Sequence, residues 1–158
     1  MPSPPDTVPS SVQDLFPVVT DSPDATQALG GTLADRLPPG SVVALYGDLG
    51  TGKTRLVKGI AEGLGLSPTG VRSPTFTILH TYDEDRRPLH HFDAYRVQSP
   101  DEFVELGFEE YVSDETGLTC IEWADRVDSL LPPDALRLAL THEAPHRRRI
   151  ALHTPAPT

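Results

Sequence analysis

A single cysteine in 158 residues, Cys120, excludes a disulfide within the chain and a cysteine-built metal site, and it fits a reducing compartment. The residue lies in the apolar run "GLTCIEW", where a thiol reads as a small buried hydrophobe rather than a nucleophile. Basic residues are also scarce: 13 Lys and Arg stand against 23 Asp and Glu, a formal net charge of −10. That balance argues against broad contact with a nucleic-acid backbone by the chain alone, so a nucleic-acid role would need a partner. No apolar run approaches the roughly 20 residues that span a bilayer, and the N-terminus lacks the basic-then-apolar pattern of a secretory signal. The expectation is a soluble, cytoplasmic protein with no membrane association. No internal repeat is visible, and the length suits one domain.

Proline is plentiful, with 17 residues, and much of it lies at the start. "MPSPPDTVPSSVQD" offers little to bury, so residues 1–14 read as a disordered tail, 15–154 as the domain and 155–158 as a short C-terminal tail. "LFPVVT" suggests a first strand. In "SPDATQALGGTLADRL", Ser22 is a candidate N-cap with Pro23 at the first helical position. Ala25, Leu29, Leu33 and Leu37 give that helix an apolar stripe, interrupted by a flexible Gly30-Gly31 pair. "SVVALY" is a continuous apolar run of the kind buried on both faces of a parallel sheet. Leu56, Val57, Ile60, Ala61 and Leu64 mark a helix ending at Gly65. β-rich segments flank the polar "DEDRRP" and predict a hairpin, and "SPDEFVELGFEEYV" predicts one short helix with a Ser99–Glu102 capping box. "GLTCIEW" and two closing strands in "DALRLALTHEAPHRRRIALH" complete the pattern. The fold expected is a single α/β domain with a mixed, partly parallel central sheet flanked by helices.

Between "VVALY" and the helix that follows stands "GDLGTGKT", which satisfies G-x-x-x-x-G-K-[ST] over Gly47, Asp48, Leu49, Gly50, Thr51, Gly52, Lys53 and Thr54. Glycines let the backbone curl so that successive N–H groups point inward at phosphates. Lys53 would reach the β and γ phosphates, and the Thr54 hydroxyl would meet Mg²⁺. The helix N-terminus adds partial positive charge at the same place. Strand before and helix after are the context such a loop requires.

Phosphoryl chemistry also needs an acid near the metal, commonly at the end of a neighbouring buried strand. Asp93 in "LHHFDAYR" and Glu122 in "LTCIEW" both end apolar segments. Glu122, after the more hydrophobic of the two, suits a metal acid, and Asp93 suits the group that orients and deprotonates an attacking water. Either could instead pair with Arg96 or Arg126. In "VRSPTFTI", Pro74 restrains Ser73, and Thr75 would either present itself to the γ-phosphate as a switch segment does or simply begin a strand.

Taken in order and at these separations, "LYGDLGTGKTRLVKGIAEGLG", "VRSPTFTI", "HFDAYR" and "IEW" resemble the TsaE family (also YjeE), small bacterial P-loop ATPases of tRNA threonylcarbamoyladenosine synthesis. The resemblance spans about residues 16–152. It implies ATP and Mg²⁺ as cofactors and the TsaB and TsaD proteins as partners, with tRNA reached indirectly through that complex. TsaD transfers threonylcarbamoyl to N6 of adenosine 37 in tRNAs that read ANN codons, and the ATPase cycle supports turnover of the complex. By motif, Lys53 and Thr54 become phosphate-loop ligands, Glu122 joins Thr54 at the metal, Asp93 is the catalytic carboxylate, and Thr75 belongs to the switch segment. An arginine before the last strand is implied beside the base, and Arg148 in "HRRRIAL" aligns best. Trp123, next to Glu122, would either pack in the core or face a partner. The Pro-rich start departs from the compact beginning typical of the family. A small-molecule kinase, or a nucleotide-gated binding module with incidental hydrolysis, would share the P-loop. The kinase lacks support in any arginine-rich lid.

Overall fold

A computed structural model describes residues 8–48, 50–67, 71, 79–83 and 87–153. Along the chain run α1 (Ser10–Gln13), β1 (Val18–Thr20), α2 (Pro23–Arg36), β2 (Val42–Tyr46), α3 (Lys53–Gly63), β3 (Leu79–Tyr82), β4 (Leu89–Asp93), α4 (Asp101–Glu105), α5 (Phe108–Val112), β5 (Leu118–Glu122), a 3₁₀ segment over Ala124–Leu130, β6 (Leu136–Ala144) and β7 (Arg147–Leu152). Their strands form one sheet in the order β1-β7-β6-β2-β5-β4-β3. β2, β4 and β5 are buried along their whole length. They lie parallel to one another, and β6 joins β2 in parallel. Antiparallel partners close both sides: β3 beside β4 at one edge, β7 and β1 at the other. The α/β domain with a mixed sheet expected from the apolar runs is what the chain forms.

Strand alternation divides the core in two. Val43, Leu45, Leu89, Leu118 and Cys120 face α2 and α3, meeting Leu33, Leu56, Val57 and Ile60. Val42, Ala44, Phe92 and Ile121 face the other way, against Phe103, Phe108 and Val127. Three phenylalanines pack there, Phe92 with its ring centroid 5.1 Å from Phe103 and 5.2 Å from Phe108.

Several local expectations hold. Ser22 caps α2 by accepting the Ala25 N–H at 3.0 Å, with Pro23 in the first turn. β3 and β4 pair as the hairpin predicted, while turn residues 84–86 lie outside the described residues.

Others are corrected. Ser10–Gln13 forms a helical turn whose Val12 is fully buried, so the fold begins before residue 14. One buried side chain is enough to fix a turn of chain that composition alone marks as loose. Gly30 and Gly31 do not interrupt α2. A Cβ on Gly30 would sit 2.4 Å from the Leu56 carbonyl oxygen, and one on Gly59 would sit 1.9 Å from that of Gln27. These glycines let α2 and α3 approach backbone to backbone, and the buried stripe accordingly runs through Thr26, Gly30, Leu33 and Ala34. The helix predicted over "SPDEFVELGFEEYV" is two short ones, α4 and α5, divided at Gly107 with φ 83°. Its capping box is also displaced: the Ser99 hydroxyl accepts from the Asp101 N–H at 3.2 Å, and Glu102 accepts from Gln98 at 2.7 Å. Among the described residues, no helix is long and apolar enough to cross a membrane.

Candidate functional site

β2, β4 and β5 end together, and where parallel strands end their following loops converge into a crevice. β2 runs into the glycine loop and α3, β4 ends on Asp93, and β5 ends on Glu122. Register sets Asp93 opposite Glu122, and Glu122 opposite Leu45 one residue before Tyr46. Lys53 opens α3, and Gly52 at its N-cap holds φ 99°, a conformation that a side chain disfavours. Gly47 is constrained doubly, by φ 152° and by the Leu140 carbonyl oxygen, 2.6 Å from where a Cβ would be.

Within this loop Lys53 is 5% exposed. Its ammonium donates to the backbone carbonyls of Gly47 and Asp48, the latter at 2.9 Å, and lies 4.1 Å from the centroid of the Trp123 ring. Burial lowers the Lys53 pKa, and the negative charges of Glu122, Asp93, Asp48 and Asp125 oppose that shift. A buried ammonium satisfied largely by neutral carbonyls gains from an anion brought to it. Thr51 is turned inward, its hydroxyl donating to the Asp48 carbonyl at 2.9 Å, which makes it a brace of the loop.

Thr54 and Glu122 meet directly. The Thr54 hydroxyl donates to the carboxylate, 2.9 and 3.0 Å from its two oxygens. Glu122 is 3% exposed, and its Oε2 also lies 2.6 Å from Nε2 of His91, whose side chain is fully buried. Glu122 is thus held by His91 and Thr54 rather than by Arg126. Asp93, mostly buried, accepts the Tyr95 N–H at 2.9 Å.

Beside Lys53, Thr54 and Glu122 opens a cleft of about 370 Å³, a volume in the range of small-molecule sites. Thr26, Thr54, Glu122, Trp123, His146 and Arg148 are among the residues that line it. Arg148 stands at the rim, donating to the Gly50 carbonyl at 3.2 Å. Its neighbours are engaged elsewhere, Arg147 with Asp21 at 3.0 Å and Arg149 near Glu143 at 3.9 Å. Trp123 is half-buried, with its ring 4.8 Å from that of Tyr95, and it takes φ 58°, the left-handed region. Strain of that kind in a non-glycine residue collects at functional sites.

The fold therefore brings together Gly47, Asp48, Gly50, Thr51, Gly52, Lys53, Thr54, Asp93, Glu122 and Arg148. Leu49 and Thr75 lie outside the described residues. Not anticipated were His91 and the position of Trp123 against Lys53. His91 had a signal: in a strand it shares a face with Asp93 two residues on.

The chain is similar to known proteins over most of its length. Residues 20–150 match the family model of the threonylcarbamoyl adenosine biosynthesis protein TsaE. The tRNA threonylcarbamoyladenosine biosynthesis protein TsaE of Bacillus subtilis is 40% identical over 131 residues, 83% of this chain and 80% of that protein. The protein of the same name from Treponema pallidum is 40% identical over 134 residues, 85% of this chain and 97% of its own. Among solved structures, Bacillus subtilis YdiB superposes with a TM-score of 0.70 at 33% identity, over 87% of this chain and 86% of that one.

Proposed function

The chain belongs to the TsaE family of tRNA threonylcarbamoyladenosine biosynthesis proteins, and from that premise we propose that it is a cytoplasmic P-loop ATPase working with TsaB and TsaD. Its ATP hydrolysis supports repeated turnover of that pair as it installs threonylcarbamoyl on adenosine 37 of tRNAs reading ANN codons. The observation that carries this reading is the convergence of Lys53, Thr54, Glu122 and Asp93 where the parallel strands end, beside a glycine loop.

Residues of this chain divide the work. The glycine loop's backbone and Lys53 bind the phosphates, with Lys53 exchanging the Gly47 and Asp48 carbonyls for phosphate oxygens. Thr54 and Glu122 are the groups that would hold Mg²⁺, an oxygen donor set suited to a hard cation. Among the described residues, no cluster of three or more His, Cys, Asp and Glu forms a metal cage. Mg²⁺ in such sites keeps water and takes phosphate oxygens, so one or two protein ligands suffice. When bound it neutralises charge on the transferred phosphate. Asp93, in register with Glu122 at the strand ends, is the carboxylate that would orient the attacking water and accept its proton, a role supported by that neighbourhood. Arg148 and the cleft wall around Thr26 and His146 receive the nucleoside. With a net charge of −10, the chain reaches tRNA through its partners.

The test is multiple-turnover tRNA modification reconstituted with TsaB and TsaD. Lys53→Ala should reduce the yield to about one turnover per complex, and a yield equal to wild type would refute the reading. Asp93→Ala separates hydrolysis from mere nucleotide binding. Loss of turnover with ATP still bound supports an ATPase, and full turnover would favour a nucleotide-gated module.

A further inference from the structure

A carboxylate that must meet a cation is useful only if its rotamer is fixed. Glu122 is fixed from beneath by one side chain outside the P-loop. His91 lies on β4 opposite Cys120 on β5, so Glu122 stands diagonally one step further along the same face. Its Nε2 is 2.6 Å from Oε2 of Glu122, and the ring is fully buried. The Tyr82 ring lies tilted beside it, with centroids 6.5 Å apart. Its other nitrogen, Nδ1, is buried and has no hydrogen-bond partner among the described residues. A ring with one polar contact donates through it, so Nε2 carries the hydrogen and Glu122 accepts. A buried histidine that leaves its second nitrogen unsatisfied is a poor way to fill a core, where leucine would pack without that cost. What it supplies is direction for the carboxylate.

We infer that His91 is a positioning residue for the metal site: it holds Glu122 by Oε2, so that the carboxylate faces Thr54 and the cleft, ready for a divalent cation bound with the nucleotide. This rests on the ATP–Mg²⁺ reading above. His91 does not touch the nucleotide. Its effect passes through Glu122 and belongs to metal affinity rather than to nucleotide affinity in the absence of metal.

The experiment uses the full chain and Mn²⁺ as probe. Mn²⁺ binding to the complex with a non-hydrolysable ATP analogue is followed by electron paramagnetic resonance. Affinity for the analogue in EDTA is measured by calorimetry, and folding is checked by thermal unfolding. His91→Leu should weaken Mn²⁺ binding about 10- to 100-fold, the usual cost of removing a hydrogen-bond partner from a metal ligand. Analogue affinity in EDTA should stay within about twofold of wild type. His91→Gln, whose amide reaches the place of Nε2, should recover most of the loss. His91→Asn, whose amide stops at the place of Nδ1, should not. With Glu122→Gln already present, His91→Leu should cost little more.

Wild-type Mn²⁺ affinity in folded His91→Leu would overturn the inference, as would equal losses with metal and in EDTA. If His91→Leu does not fold, the Gln and Asn variants decide, and equal Mn²⁺ affinities in those two would overturn it. A wild-type protein that binds no analogue even with Mn²⁺ would overturn instead the reading on which the inference rests.

Discussion

Two adjacent histidines on β4, His90 and His91, each meet a carboxylate, and the pairs behave differently because the strand sends them to opposite faces. His91 faces α3 and meets Glu122 at 2.6 Å, with side-chain exposures of 0% and 3%. His90 faces α5 and meets Asp114 at 2.9 Å, with exposures of 7% and 27%. His90 is satisfied at both nitrogens, by Asp114 and by the Thr81 hydroxyl at 3.1 Å, and its ring stands edge-on to Tyr111. That pair fastens the sheet to the end of α5, whereas the other sits under the ends of the parallel strands beside Lys53 and Thr54. The same residue types thus serve architecture on one face and, in the function proposed above, the nucleotide site on the other. Burial, an unsatisfied nitrogen and the company of a P-loop tell them apart.

Predictions follow from pressing on each face in turn. The largest loss of stability should come from Phe103→Ala, which empties the aromatic cluster on the α5 face, at about 3–5 kcal/mol by denaturant unfolding. The protein that remains folded should still bind ATP, because the cluster lies across the sheet from Lys53. On the α3 face the corresponding weak point is backbone approach: Gly59→Ala drives a Cβ into the Gln27 carbonyl and should cost about 3 kcal/mol. It should also weaken ATP binding, since α2 supplies Thr26 to the cleft wall.

A smaller effect distinguishes the His90–Asp114 pair. Hydrogen bonds from His90 and then from Thr116 hold the Asp114 carboxyl at about 2, below its ordinary 3.8. A depressed carboxyl pKa stabilises the fold above the unfolded value and loses that contribution as pH falls toward the folded one. Asp114→Asn should therefore cost about 1 kcal/mol near pH 6, with the gap to wild type narrowing by pH 3 in urea unfolding.

Much of the α3 face was legible in the sequence because its signals are local. The G-x-x-x-x-G-K-T spacing, the apolar runs of β2 and β5 and the Ser22-Pro23 start of α2 each depend on neighbours in the chain. What escaped depends on contacts between distant segments. Gly30 looks like a flexible break until α2 and α3 are side by side and it meets the backbone of Leu56 and Gly59. "HHFD" does not say which histidine lies under a carboxylate until β5 is paired with β4. Val12 looks like part of a loose proline-rich start until the core receives it. Trp123 adopts a left-handed backbone that its residue type disfavours, because β5 must end on Glu122 and turn at once into the 3₁₀ segment.

The contrast between the two carboxylates can be measured directly by the rate of ATP hydrolysis in the TsaB–TsaD assembly, with Glu122→Gln and Asp114→Asn compared side by side. Glu122→Gln should lose about 100-fold or more, the scale of several kcal/mol of transition-state stabilisation, while Asp114→Asn stays within about twofold of wild type. Equal losses in the two variants, or full activity in Glu122→Gln, would contradict the assignment of the reaction to the α3 face.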